Sequence, residues 1–226
     1  MKVLHLSDLH FRRPWFDWVR KQAPNYDAVA IAGDLLGPES AGSPRTQIAW
    51  MRNWIAKFPR PLLLCSGNWD ERDIDLPGDL RGWMGALSFP HVTTDGQMIQ
   101  LGGWNVECVP WMQQPTRGGR RHLALVHCPP EGCATAIDAA SGRDFGDFNL
   151  AENLRAGICA PQIVLGGHVH NPVNWAARCG STWSINSGVG QSIDHRIPAA
   201  VAVDLDNGCA TRLLGGKPTA RVDLSP

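Results

Sequence analysis

Side chains that can bind metal ions follow five short apolar segments of the chain. Each segment is followed within a few residues by a carboxylate, an imidazole or an amide. These side chains are Asp8, His10, Asp34, Asn68, His127, His168 and His170. Mixed carboxylate and imidazole ligands suit Mn, Fe, Zn or Co ions. Seven ligands, one of them bridging, would hold two divalent ions about 3.5–4 Å apart, so the pattern predicts a dinuclear metal site.

Two ligand pairs are separated by a single residue. In extended backbone, residues i and i+2 point the same way, so Asp8 with His10, and His168 with His170, are expected to converge. Glycines beside several ligands would let the loops turn sharply. No single fragment is specific, but five fragments in a consistent order, each at a predicted strand end, favour a metal site over a set of turn residues.

The apolar segments that precede these residues have the length and composition of buried strands. The predicted strands are Val3–Leu6, Ala28–Ala32, Leu62–Cys65, Met98–Leu101, Asn105–Val109, Leu123–Val126, Ile163–Leu165, Trp183–Asn186, Ala199–Leu205 and Ala210–Leu214. The last two are joined by Asp206-Asn207-Gly208, a hairpin turn signal.

Helical patterns separate the early strands. Pro14 and Pro24 bracket a helix over Trp15–Gln22, and Leu150–Ala156 forms another short one. The stretch after Ser43-Pro44 repeats apolar residues at spacings of three and four, which predicts a helix that buries Ile48, Met51, Ile55 and Phe58. The alternation indicates an α/β sandwich with mixed sheets in one domain, residues 1–226. Residues 129–161 are expected to be a surface excursion that helps wall the site.

The motifs resemble those of the calcineurin-like metallophosphoesterases. That family has D-x-H, then G-D, then G-N-H followed by an acid, then a His after a strand, and then G-H-x-H. The corresponding segments here are SDLH, AGDLL, GNWD, LVH and GGHVH, spread from residue 7 to residue 170. The resemblance implies an α/β protein, an α-β-β-α sandwich of two mixed β-sheets flanked by helices, with the metals at its rim.

The resemblance also implies a role for each ligand. One metal would be bound by Asp8, His10, Asp34 and His170, and the other by Asp34, Asn68, His127 and His168. Asp34 would be the bridge, and water held between the ions would act as a hydroxide nucleophile on a phosphate ester. We expect Mn, with Fe, Zn, Co or Ni as alternatives.

The third motif departs from the family at Trp69, where the family commonly has a His that protonates the leaving group. An indole N–H cannot act as a general acid at neutral pH, and losing such a group costs on the order of 10²–10⁴ in rate. Two explanations remain open. Either the substrate is an ester whose leaving group needs little protonation, such as an aryl ester or a strained cyclic phosphodiester, or another residue donates the proton. The candidates for such a donor are Asp70 and His195 in the Ser192–Ile197 loop.

Three residues are candidates for binding the substrate. Trp69 either packs over the metal loop or stacks on an aromatic part of the substrate such as a nucleobase. Arg12 either holds a phosphate or belongs to a solvated pair with Arg13. Trp111 either walls the pocket or packs in the core.

The leading hypothesis is a phosphodiesterase acting on nucleotide-type or other diesters. The alternatives are a phosphomonoesterase with a substitute proton donor and a catalytically weak binding scaffold on the same fold. Twenty-one Lys and Arg balance 21 Asp and Glu, so net charge gives no support to extended nucleic acid as a partner. No apolar run approaches the roughly 18 residues of a membrane span, so no membrane is expected.

The start MKVLHLSDLH has no apolar signal region, so we expect a cytoplasmic protein. Its seven cysteines are expected to be reduced thiols. Oligomeric state is left open.

Overall fold

The computed structural model describes residues 1–71, 82–116, 118–189 and 197–225. Strands of the first sheet are β1 (Lys2–Leu6), β2 (Ala28–Ala32), β3 (Leu62–Cys65), β4 (Val92–Thr93), β11 (Ala200–Asp204), β12 (Cys209–Leu214) and β13 (Lys217–Asp223). Those of the second are β5 (Met98–Leu101), β6 (Trp104–Cys108), β7 (Gly119–Leu125), β8 (Pro161–Gly166), β9 (Ala176–Cys179) and β10 (Thr182–Asn186). The helices are α1 (Arg13–Gln22), α2 (Pro44–Ala56) and α3 (Phe148–Arg155).

Both sheets are mixed within the described residues. The first runs β13-β12-β11-β1-β2-β3-β4, with β1 to β4 parallel and the remaining pairs antiparallel. The second runs β5-β6-β7-β8-β10-β9, with β6, β7, β8 and β10 parallel. Parallel neighbours end at the same edge of a sheet, so the loops after β1, β2 and β3 lie together, as do those after β7 and β8.

Alternating side chains of the strands build the layers. In β1, Val3 points into the space between the sheets, while Leu4 and Leu6 point toward α1 and α2. Apolar residues of β7 and β8 close the space from the other sheet, and α3 covers the outer face of the second sheet through Leu150. The predicted α-β-β-α sandwich of two mixed sheets is confirmed.

The helix ends follow local rules. Pro14 lies in the first turn of α1, where a missing backbone N–H costs nothing. Ser43 caps α2 by accepting a hydrogen bond from Thr46 N, and Asp147 caps α3 through Leu150 N. All three predicted helices are present, each with bounds shifted by one or more residues.

Three strands have no counterpart among those predicted from the sequence. Two of them, β9 and β13, are edge strands with mostly exposed or half-buried side chains, so they lack an apolar run. The third, β4, has only two residues.

The expectation of reduced thiols throughout is wrong for two cysteines. Cys133, in the segment before α3, forms a disulfide with Cys179 of β9 across 46 residues of sequence. The pairing depends on a backbone approach that spacing alone does not reveal. Cys65, Cys108, Cys128, Cys159 and Cys209 are free thiols. No helix among the described residues is long and apolar enough to cross a membrane.

Candidate metal centre

The seven predicted ligands converge where the carboxyl ends of the two sheets meet. The loops after β1, β2 and β3 bring Asp8, His10, Asp34 and Asn68, and those after β7 and β8 bring His127, His168 and His170. The ligand atoms then separate into two groups that share Asp34.

The first group surrounds one carboxylate oxygen of Asp34. Nε2 of His10 lies 3.8 Å from Asp34 Oδ2 and 3.1 Å from Nε2 of His170. Nε2 of His170 lies 3.5 Å from Asp8 Oδ1. Two carboxylates and two imidazoles therefore face one small volume.

The second group surrounds the other oxygen of Asp34. Nε2 of His127 lies 3.5 Å from Asp34 Oδ1 and 3.0 Å from Asn68 Oδ1. The same amide oxygen lies 3.1 Å from Nδ1 of His168. Asp34 thus directs one oxygen to each group, which is the arrangement a bridging carboxylate requires.

The chemistry of these atoms fits bound cations. Asp8 is fully buried, yet its Oδ1 has no hydrogen-bond donor, and such an oxygen is costly to bury without a partner. Asp8 Oδ2 already accepts from the backbone N–H of His168. A divalent ion beside Oδ1 would supply the missing partner and join the imidazole nitrogens that face each other at 3.1 Å.

The pKa values of the buried ligand side chains respond to this close packing of carboxylates and imidazoles. Burial disfavours a protonated His127, but the adjacent carboxylate of Asp34 outweighs it and raises the pKa of His127 to about 10. Burial opposes ionisation of Asp8, but contacts with His170 and the charge of His127 hold the pKa of that carboxyl below its usual range. Burial lowers the pKa of His168 to about 4, assisted by the charge of His127. Positive charge is thus favoured on His127, beside Asp34, and disfavoured on His168.

The backbone at the ligands is not extended. Asp8, His10, Asp34 and His168 have φ of 55°, 43°, 54° and 65°, in the left-handed region that non-glycine residues rarely adopt. Asp8 and His10 converge in one group with His170, as expected, but the extended backbone that was expected to bring them together is not found. His168 and His170 instead belong to different groups, and tight turns rather than strand pleating aim the ligands. Such strain concentrates at functional sites.

Glycine is required where ligand loops touch. A Cβ at Gly33 would lie 2.4 Å from Nδ1 of His127, and one at Gly67 would lie 2.3 Å from Asp34 Oδ1. Side chains at either position would push a ligand out of place.

The predicted proton donor Asp70 does not face the open rim. It is fully buried, and its two oxygens accept hydrogen bonds from the backbone N–H groups of Leu35, Leu36 and Gly67. These contacts tie the loop carrying Asp34 to the loop carrying Asn68. The geometry is that of a positioning residue and is at odds with the prediction of a leaving-group acid.

A family model described as the calcineurin-like phosphoesterase superfamily domain matches residues 1–208. The chain belongs to this superfamily. The resemblance stated from the motifs is therefore confirmed, and this phosphoesterase superfamily is metal-dependent.

Solved structures share the fold of this phosphoesterase at low identity. A protein of Thermus thermophilus is 14% identical with a TM-score of 0.55, and 99% of each chain is covered. A structure described as an archaeal phosphodiesterase is 14% identical with a TM-score of 0.53, covering 94% of this chain and 99% of that one. Yfce, a phosphoesterase from E. coli, is 16% identical with a TM-score of 0.50 over 100% of both chains. No curated protein matches.

The two tryptophans singled out from the sequence lie at opposite ends of the ligand cluster. The indole of Trp69 meets His10 edge-on, with ring centroids 5.5 Å apart. The indole of Trp111 contacts His127 at 5.4 Å and His168 at 5.7 Å. Both are half-buried, so each combines packing with a surface open to a ligand.

Arg12, the other described candidate for binding the substrate, contacts a residue of α1. The guanidinium of Arg12 lies over the Trp15 ring, 4.4 Å from its centroid, in a cation–π contact, and phosphate binding by Arg12 stays a prediction. His195 lies outside the described residues.

Sequence reasoning missed the residue that supports the His168 loop. Asn186, at the end of β10, is fully buried, and its Nδ2 donates to the backbone oxygens of Gly167, Val169 and Thr135. The only available signal was a polar residue at the end of an apolar strand, followed by Ser187-Gly188.

Proposed function

We propose that this phosphoesterase hydrolyses phosphodiesters, with two divalent ions bound by the seven ligands. One ion would be held by Asp8, His10, Asp34 and His170, and the other by Asp34, Asn68, His127 and His168. The observation that carries the diester assignment is Trp69, which stands where the superfamily commonly has the histidine that protonates the leaving group.

Every described histidine is accounted for. His10, His127, His168 and His170 face the two ligand groups. The others engage elsewhere: His5 with the backbone oxygen of Gly166, His91 with that of Ile55, and His122 with Glu107. Diesters with stable leaving groups need little protonation, so they suit such a site better than alkyl monoesters.

The protein residues have distinct tasks in this proposal. When bound, the ions supply Lewis acidity and lower the pKa of water so that it can attack phosphorus. Asp34 and Asn68 would bind the ions through their side-chain oxygens, and Asp70 keeps the two loops at a fixed separation through three backbone N–H groups. Trp69 and Trp111 lie at the borders of the open surface where the two ester arms of the substrate would lie.

Finer assignments follow from the ligand types. Mn suits the mixture of carboxylate, amide and imidazole ligands, with Fe, Zn, Co or Ni as competitors.

We propose a small diester such as a nucleotide-type ester as substrate, a single domain over residues 1–226, and the cytoplasm as compartment. The Cys133–Cys179 disulfide is more typical of oxidising compartments, and cell fractionation tests the proposed compartment.

Turnover of two aryl substrates tests the proposal. The metal-free protein is loaded with Mn, Co, Ni, Fe or Zn and assayed on bis-p-nitrophenyl phosphate and p-nitrophenyl phosphate, which share a leaving group. A higher kcat/KM for the diester supports the proposal, and a higher value for the monoester overturns it. No turnover with any ion would exclude both esterase activities and favour a binding scaffold.

A further inference from the structure

A cleft of about 630 Å³ opens at the edge of the second sheet that lies opposite the metal ligands. Its walls include the first residues of β7 and β8, Gly119 and Pro161, whereas the ligands His127 and His168 follow the last residues of these strands. Volumes between about 300 and about 1,000 Å³ are typical of sites for small molecules. The cleft is therefore separate from the candidate metal centre and has room for a small molecule.

Apolar side chains from four segments line this cleft. They come from the loop after α3, from β8, from β10 and from the residues after β13, and they are Ile158, Pro161, Trp183 and Leu224. Pro161 and Leu224 are buried, but Ile158 is 74% exposed and Trp183 is half-buried. Ile158 and Trp183 thus leave apolar area uncovered in the same cleft rather than as single scattered side chains, and such an area is typical of a binding site.

Backbone hydrogen bonds fix Ile158 at the wall without burying it. At the end of α3, Gly157 N donates to Leu154 O at 3.3 Å and Ile158 N donates to Asn153 O at 3.0 Å, while Gly157 has a φ of 67°. In this type of helix end the residue after the glycine frequently packs its side chain back onto the last turn. Ile158 instead stays exposed and lines the cleft.

The start of β7 is fixed on the same loop. Gly119 N donates to Ala160 O at 2.8 Å, and a Cβ at Gly118 would lie 2.4 Å from Ala160 N. This close backbone contact sets the position of Arg120, the next residue of β7. The walls of the cleft are therefore tied together by backbone contacts, as expected of a site that is formed before its ligand binds.

Polar groups of the cleft favour a negatively charged ligand. Of the described residues that line it, Arg120 alone carries a charge. Oε1 of Gln162 already accepts from the backbone N–H of Arg121 at 2.9 Å, which leaves the amide N–H groups of Gln162 to act as donors. Beside the cleft, the guanidinium of Arg178 lies over the Trp183 ring, 4.9 Å from its centroid. Cations and N–H donors, with no carboxylate among the described lining residues, complement an anionic group.

We propose that this cleft binds a small aromatic anion, a planar ring system that carries a carboxylate or sulfonate group. The anionic group would meet Arg120, and the ring would lie against Ile158 and Trp183. Trp183 suits a flat ring because aromatic rings stack, and its Nε1 donates to the backbone oxygen of Ser225 at 3.4 Å, which holds the indole in place. This inference goes beyond the proposed function and does not depend on it, because the cleft contains none of the seven metal ligands.

Calorimetry with three matched probes tests the assignment. Naphthalenesulfonate carries both the ring and the charge, naphthalenemethanol has the ring without the charge, and octanesulfonate has the charge without a ring. The titrations use the full chain in EDTA, so that no bound metal ion competes for the anion. Because hydrogen bonds to charged groups are stronger than those to neutral ones, we expect naphthalenesulfonate to bind at least about tenfold more tightly than naphthalenemethanol. Naphthalenesulfonate should also bind more tightly than octanesulfonate.

Two substitutions separate the charge from the apolar wall. Arg120→Gln should abolish the preference for the sulfonate over the alcohol, whereas Ile158→Ser should weaken both naphthalene probes by at least about threefold. Both side chains are exposed, so neither change should unfold the protein. The matched controls are Arg52→Gln on α2 and Met98→Ser on β5, which are exposed and lie outside the cleft.

Three results would overturn the assignment. These are no measurable binding of naphthalenesulfonate, an effect of Arg120→Gln no larger than that of Arg52→Gln, and tighter binding of octanesulfonate, which would assign the cleft to an alkyl chain. None of these measurements requires turnover. Failure of the phosphodiesterase proposal would therefore leave the cleft assignment standing, and failure of naphthalenesulfonate to bind would leave the phosphodiesterase proposal standing.

Discussion

The indole of Trp69 and the imidazole of His10 meet edge-on, with centroids 5.5 Å apart and ring planes at 78°. The position where the superfamily commonly has a histidine is thereby filled by an aromatic ring that contacts a candidate ligand. The contact orients His10 toward Asp34 and places an indole beside the space that a substrate would enter. Trp69 therefore packs against His10 and also presents a surface that is available for stacking on a substrate.

Replacing Trp69 by His restores an imidazole where leaving-group protonation is expected. Because a positioned acid contributes on the order of 10²–10⁴ in rate, we expect Trp69→His to raise kcat/KM for alkyl leaving groups at least about tenfold. Trp69→Phe is the control that keeps a ring without a titratable proton. If Trp69→His lowers diester turnover and leaves alkyl esters unchanged, stacking on the substrate is the main role of Trp69.

Removing the shared carboxylate should empty both metal positions. Asp34→Ala deletes the oxygens that face the His10 group and the His127 group. Elemental analysis after dialysis should then find far less than one ion per chain. His127→Ala, the matched variant, should lose only the ion of its own group. Full occupancy in Asp34→Ala would refute the bridging role.

Asp70→Asn should destabilise the protein and weaken metal binding together. The Asn amide places an N–H donor opposite backbone N–H groups that donate to the Asp70 carboxylate in the wild type. Leaving one such buried group without its partner costs about 1–3 kcal/mol. Urea unfolding with and without Mn measures both effects. The exposed Asp17→Asn is the control, and an Asp70→Asn protein with unchanged stability would exclude the positioning role.

We expect His5 to make the metal-free protein less stable in mild acid than at neutral pH. Burial lowers its pKa from 6.5 to about 4, despite the hydrogen-bond contact with Gly166. Below pH 6.5 the unfolded chain therefore binds a proton at His5, whereas the folded chain binds that proton only near pH 4 and below. Lowering the pH from about 7.5 to about 5 therefore reduces the free energy of unfolding by about 2 kcal/mol through His5.

The contribution of His5 is measured by difference. Urea unfolding of the wild type and of His5→Gln is compared in EDTA at both pH values, and other titrating groups are common to the two proteins. The variant should lose less stability on acidification than the wild type. Equal losses would show that His5 does not titrate in this range.

The disulfide predicts how many thiols react in the unfolded protein, and it predicts part of the free energy of unfolding. Unfolded protein under non-reducing conditions should react with a thiol reagent at five cysteines, and at seven after reduction. Closing 46 residues between Cys133 and Cys179 corresponds to about 4 kcal/mol of unfolded-state entropy. Cys133→Ser with Cys179→Ser should unfold at lower urea by a comparable free energy. Seven reactive thiols before reduction would show that the bond does not form.

Strands in the interior were predictable because burial on both faces leaves a long apolar run. In β2 every residue is buried, and the run Ala28–Ala32 was predicted with its observed bounds. In β13, by contrast, most residues are exposed, and Lys217–Asp223 has no apolar pattern to detect. Its place is set by pairing with β12, a contact between segments rather than a local preference.

The sequence by itself determined the superfamily, the sandwich and the candidate ligands, since ligand chemistry and strand burial are both properties of residue type. Only the tertiary structure decided how those ligands are arranged. It placed His168 beside Asn68 and His170 beside Asp8, turned Asp70 inward so that it joins two loops, and packed Trp111 against His127. These relations depend on left-handed turns and on contacts between residues far apart in the chain, and neither is encoded in local composition.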